Sequence, residues 1–171
     1  MVVVGAQGRW LAPLALLLAA CDSGSPAASV GVVAAPAAPA ALTAAQAAGF
    51  DPGPIKSAAE YLAEPELAAA DAARGELLAF ACAACHRFRA AEGTLIGPHL
   101  EGVFGRTAAS VPGFSYSPAL RQAGLVWTPR SLEAWLANPS GFVEGTTMAF
   151  TGYRSAEDRR DLIAFLLRAT Q

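Results

Sequence analysis

The stretch FACAACHRF sets Cys82, Cys85 and His86 together, and three chemistries use such a cluster. A structural zinc ion takes four ligands, usually as two pairs; here His99 is the one further soft ligand in this half of the chain, and the third cysteine, Cys21, stands far upstream. A thioredoxin-like dithiol follows a strand of a parallel sheet, whereas the residues before Cys82 read as helix. The pattern C-x-x-C-H also attaches haem. Cysteines three apart on a helix fall on one side and reach the two vinyl groups of one porphyrin, and the next residue, His86, comes beneath the iron. Iron in haem has six positions, so the pattern predicts a second axial ligand or an open site. Met148 is the only methionine after the initiator and stands in the loop EGTTMAF. A lone methionine is usually core filler, but a loop position favours ligation, and a thioether opposite an imidazole raises the iron's potential. His99 is the rival ligand.

Helices must position these groups. Asp71 is placed to cap a helix running through GELLAFACAAC, with Leu77, Leu78 and Ala81 on an apolar side. Thr128-Pro129 is a cap and first-turn proline for LEAWLA, which Asn138-Pro139 ends. Ser155 starts the last helix, with Asp158 placed to bond back and LIAFLL as the buried face. A shorter helix begins at Ser117-Pro118 and stops at Gly124. Between them run TLIGPHLEGVFGR, SVPGFSY and SGFVEGTTMAFTGY, with no strand-length alternation. The fold class is therefore all-α, with long loops of the kind that wrap something.

The domain is expected over 71–171. Ten arginines there meet nine acids, and residues 21–70 carry one lysine against five acids; neither balance provides the clustered basic face of a nucleic-acid binder. Residues 1–20 read as an export signal: Arg9 precedes the apolar run WLAPLALLLAA, well short of the ~20 residues of a spanning helix; the alternative is an uncleaved anchor, with VVVG before Arg9 lengthening the span. LAAC, Leu18 to Cys21, resembles the lipobox of bacterial lipoproteins, which implies a lipid on Cys21 and a membrane anchor. The Ala/Pro-rich residues from Asp22 to about Ala70 offer few large apolar groups to offset ordering entropy. They read as a flexible tether, with a possible short helix around Ile55 to Leu62.

GELLAFACAACHRF, GPHLEGVFGR, PGFSYSPAL, Trp127, LEAWLANPSGFVEGTTMAF and DLIAFLLRAT together resemble the class I cytochromes c of the mitochondrial and cytochrome c2 type, over Asp71 to Gln171. The resemblance implies a small fold of about four to five helices around one haem c. Cys82 and Cys85 would form thioethers, His86 and Met148 would ligate iron, and the Pro98 carbonyl would accept the second imidazole N–H. Arg106, Tyr116 and Trp127 resemble residues that bond the propionates, and Trp135 stands where the family has a tyrosine beside the methionine. His99 replaces an asparagine, Leu120 replaces a polar haem contact, and the family's exposed lysines are missing, with Lys56 the sole lysine. Gly75 and Leu78 of the first helix would pack on Leu162 and Phe165 of the last, and Phe104, Phe114 and Phe165 read as plain core.

The expected function is one-electron transport without a small-molecule substrate, by a monomer anchored on the periplasmic side of a bacterial membrane, the inner one favoured. Its redox partners would be a quinol-cytochrome c oxidoreductase and a terminal oxidase or reaction centre. Two rivals are a small haem peroxidase, should Met148 be off the iron, and an electron-entry module of a larger oxidase or dehydrogenase.

Overall fold

The computed structural model describes residues 49–171; the expected export signal, Cys21 and the upstream part of the Ala/Pro-rich stretch lie outside them. The described residues form α1 (Ala58–Leu62), α2 (Pro65–Ala68), α3 (Ala72–Ala83), a 3-10 turn (Ala90–Glu92), α4 (Pro118–Gln122), α5 (Pro129–Ala137), α6 (Pro139–Phe142) and α7 (Ala156–Ala169). Among them there is no strand, only an isolated antiparallel bridge between Thr107 and Val126. The all-α expectation holds. No helix of the described residues is long and apolar enough to cross a membrane.

The helix starts follow from their caps. The Asp71 carboxylate accepts from the N–H groups of Ala73 and Arg74, both at 3.0 Å, satisfying donors that the first turn of α3 leaves free. Thr128 and Ser131 cap each other's backbone around Pro129 at the start of α5. On α7 the Ser155 hydroxyl accepts from Asp158 N–H at 3.2 Å, but the Asp158 carboxylate does not bond back as expected. It pairs instead with Arg74 across the helix crossing, where a cation competes better than a neutral amide.

Helices α3 and α7 cross at Gly75, where a Cβ would lie 2.6 Å from the Asp161 carbonyl carbon and 2.9 Å from Phe165 Cβ. Beside the crossing Asp161, only 1% exposed, accepts from Asp71 N–H at 3.1 Å and from Arg74 and Arg160 at 3.1 and 3.4 Å. This small-residue contact decides which face of α3 is buried. Gly75 and Ala79, one helical turn apart, go inside with Leu78 partly covered, whereas Leu77 and Ala81 face out. The expected apolar side of Leu77, Leu78 and Ala81 is thus corrected: a Gly/Ala stripe lets two backbones approach, and the bulkier residues are turned away. On α7, Leu162, Ile163, Ala164, Leu166 and Leu167 are buried as the LIAFLL pattern predicts.

The expected boundary at Asp71 also shifts, because the packed unit reaches upstream to Phe50. Tyr61 is 4% exposed; its hydroxyl donates to the Pro54 carbonyl at 2.8 Å and accepts from Lys56 N–H at 3.1 Å. Leu67 is buried in the same core. The Phe50 ring meets Phe142 edge-on at 5.2 Å with the Arg130 guanidinium 5.7 Å from its centre, and the Thr128 hydroxyl donates to the Pro52 carbonyl at 2.7 Å. Averaged composition concealed this, since a few large residues spaced to reach the domain suffice to dock a segment that is mostly alanine.

Candidate cofactor site

The cavity of the fold opens beside α3 and measures about 250 Å³. Cys82, Cys85, His86, Pro98, Arg106, Tyr116, Trp127, Trp135 and Met148 all line it. Cys21 lies outside the described residues, and His99, the rival ligand, is not in the lining.

Each wall is held by local structure. Helix α3 carries Cys82 in its last turn, and the chain then bends back so that Gly97 N–H donates to the Cys85 carbonyl at 2.8 Å. His86 Nδ1 lies 2.7 Å from the Pro98 carbonyl, a bond that needs the proton on Nδ1 and leaves Nε2 as a free lone pair. Gly97 is required at this point: a Cβ would stand 2.6 Å from His86 Nδ1. Burial pushes the His86 pKa down, opposed by the Pro98 bond, so the ring is held neutral, the form that binds a metal. Burial also pushes the Cys82 thiol up to about 11. Among the described residues, no group of three His, Cys, Asp or Glu side chains is placed to hold a metal ion.

The opposite wall is a short two-chain clasp. Trp127 N–H donates to the Arg106 carbonyl at 2.9 Å, Gly105 N–H to the Trp127 carbonyl at 2.7 Å, and Ala108 N–H to the Leu125 carbonyl at 2.8 Å. It aims Arg106 and Trp127 at the cavity together. The Arg106 guanidinium donates to the Glu101 and His99 carbonyls at 2.7 and 3.1 Å. It has no carboxylate partner among the described residues, and burial pushes its pKa down. The Tyr116 hydroxyl accepts from Val111 N–H at 3.3 Å, and its ring packs edge-on against Phe114 at 4.7 Å. Trp135, on α5, stands edge-on to Trp127 at 5.4 Å.

The methionine loop is pinned at its far end. Tyr153 N–H donates to the Leu136 carbonyl at 2.8 Å and its hydroxyl to the Leu78 carbonyl at 2.7 Å. Gly152, at φ +90°, brings the loop so near α5 that a Cβ would be 2.8 Å from the Ala137 carbonyl carbon. Met148 N–H donates to the Thr146 hydroxyl at 3.3 Å.

A group that fills this space must be large and mostly apolar, able to take two cysteine sulfurs and one imidazole, with an anionic part near Arg106, the one charged side chain in the lining at neutral pH. Haem meets each condition, so the residues present fit it. Phe114, expected in the core, lines the cavity instead; Phe150 and Leu166 line it too, and so does Leu120, as its expected haem contact implies. PGFSY carries no spacing signal to show that its phenylalanine faces a cofactor.

Fold and site together define a small all-α protein built around a covalently held haem. No protein-family profile matches the chain, but individual relatives do. It is 45% identical over 102 residues to a cytochrome c of Cochliobolus lunatus, covering 59% of this chain and 94% of that one. To a cytochrome c of Arabidopsis thaliana it is also 45% identical over 102 residues, covering 59% and 91%. To the cytochrome c2 of Rhodomicrobium vannielii it is 41% identical over 104 residues, covering 61% and 82%. The chain belongs to the cytochrome c family; its cofactor is one haem c attached through two cysteines, and it is an electron carrier rather than an enzyme.

Proposed function

We propose that this protein is a membrane-anchored periplasmic carrier with His86 and Met148 as its axial ligands. It would shuttle single electrons from a quinol-cytochrome c oxidoreductase to a terminal oxidase or reaction centre. When bound, haem c supplies reversible one-electron chemistry at its iron. The chain's part is to hold that group still and dry. Cys82 and Cys85 fix it covalently, His86 is oriented by Pro98, and Arg106, Tyr116 and Trp127 face the propionates. Trp135 and the pinned loop keep Met148 in place. With His86 and Met148 both holding the group, no substrate would reach it. The observation that carries this reading is that all nine residues, drawn from separate stretches of the sequence, line one cavity.

Residues 1–20 serve in this reading as the export signal and Cys21 as the lipid-bearing residue. The run ending in LAAC and the bacterial cytochrome c2 relative support it. In this reading the residues between Cys21 and Phe50 are the tether.

Two measurements test the proposal. The oxidised protein should show a red-region sulfur-to-iron band that Met148→Ala removes while the covalent haem stays; a band that survives would assign the second ligand elsewhere. Intact mass of protein extracted from membranes with detergent should show haem and acyl chains on a polypeptide beginning at Cys21. A species beginning at Met1 without acyl chains would overturn the anchor.

A further inference from the structure

Leu77, Phe80, Ala81 and Ala84 recur at i, i+3, i+4 and i+7 along α3 and its C-cap, and all four are exposed. Such spacing makes one continuous stripe, ordinarily the face a helix buries. Leu77 is 68% and Phe80 70% exposed, and Ile96, on the loop that follows the 3-10 turn, is 80% exposed. The stripe runs to the cofactor site, because Ala81 and Ile96 also line the cavity. The other exposed lining residues are Thr107, Thr147 and Ala149. No exposed residue of the lining is therefore charged, and Arg106, the one charged side chain in it, is half-buried.

We propose that this stripe and rim are a docking face for a redox protein whose own surface around its redox centre is apolar and uncharged. Charged groups of a partner pressed on this rim would lose water and find no counter-charge, whereas apolar groups would gain by covering Phe80, Leu77 and Ile96. A membrane fits less well. Glu76, next to Leu77 on α3, is exposed, and a bilayer over the opening would shut out the partner. One electron crosses the contact: this protein is oxidised by one electron as the partner is reduced by one, and no proton or covalent bond changes place. The proposal rests on the electron-carrier reading.

Electron self-exchange tests it, since a second copy of this chain is a redox protein with such a face. The probe is the full haem-loaded chain with Cys21→Ser, which keeps it out of micelles, followed by NMR line broadening in mixtures of oxidised and reduced protein. The rate should change less than about twofold as the screening length falls from ~30 Å at ~0.01 M salt to ~3 Å at ~1 M. Phe80→Lys or Ile96→Lys should slow it about tenfold at low salt, with salt restoring part of the loss; Leu77→Ser is the alternative should either variant lose its haem. A steep salt dependence of the parent protein, or variants that exchange at the parent rate with an unchanged haem spectrum, would overturn the proposal. So would a stable dimer in sedimentation. Co-sedimentation of the Cys21→Ser chain with phosphatidylcholine vesicles is expected to be absent; binding abolished by Phe80→Lys would reassign the face to lipid and overturn it. A colourless preparation would sink the carrier reading itself, a separate failure.

Discussion

Replacing Gly75 by alanine sets two effects of opposite sign against each other. In an exposed helix interior the change stabilises by about 1 kcal/mol. At this crossing, however, the new Cβ would sit 2.6 Å from the Asp161 carbonyl carbon and 2.9 Å from Phe165 Cβ, where carbon atoms rest at about 3.5 to 4.0 Å. The obstacle is mostly backbone, so no rotamer change relieves it, and α3 and α7 must part by roughly 1 Å. Overpacking of this kind costs typically 1–3 kcal/mol and sometimes more. With the upper end reached and propensity deducted, we expect a net loss of about 2 kcal/mol, or roughly 6–10 °C in Tm for a unit of this size. Urea denaturation of the haem-loaded protein, followed by far-ultraviolet circular dichroism, would measure it. Cys82 lies in the last turn of α3, so the haem spectrum should shift as well. A variant as stable as the parent, or more stable, would show that propensity governs this position and that the close crossing is not a constraint.

Asp161→Asn should cost about 2–3 kcal/mol, below the full range for a broken buried pair because Arg74 is partly exposed; Glu157→Gln, at the open edge of the same cluster, should change urea midpoints little. Tyr61→Ala removes a buried ring from the segment that composition assigned to the tether, and should lower stability by about 3 kcal/mol; a neutral result would mean the segment is not part of the folded unit. Burial pushes the Tyr153 pKa up, so the folded state favours the neutral phenol. That contribution is whole below about pH 10, the unfolded value, and lost as pH rises through the folded one. Tyr153→Phe should therefore be less stable at pH 7, lacking the bond to Leu78, by about 1 kcal/mol, with the gap closing above pH 10; parallel stability curves would contradict this.

The cofactor was legible in the sequence because haem attachment is local chemistry: Cys82, Cys85 and His86 need only one helical turn and the next residue to serve it. Caps were legible for the same reason, as at Asp71, Thr128 and Ser155. The sequence offers two candidates for the second ligand, Met148 and His99, of which only Met148 lines the cavity; Arg106, Tyr116 and Trp127 were named through a resemblance rather than through any pattern of their own. Tertiary packing decided the rest. Hydrophobic periodicity shows that α3 has an apolar side but sets Leu77 in it; the buried Gly75 was legible only through the resemblance, and the approach of a second backbone is the physical reason that glycine wins. The same approach turns Asp158 from its own helix end to Arg74 and leaves Phe80 outside, and contacts with distant residues dock Tyr61 and Phe50 where composition implied a loose chain. Each of these outcomes depends on a partner far along the chain, and the local sequence carries no record of which partner will arrive.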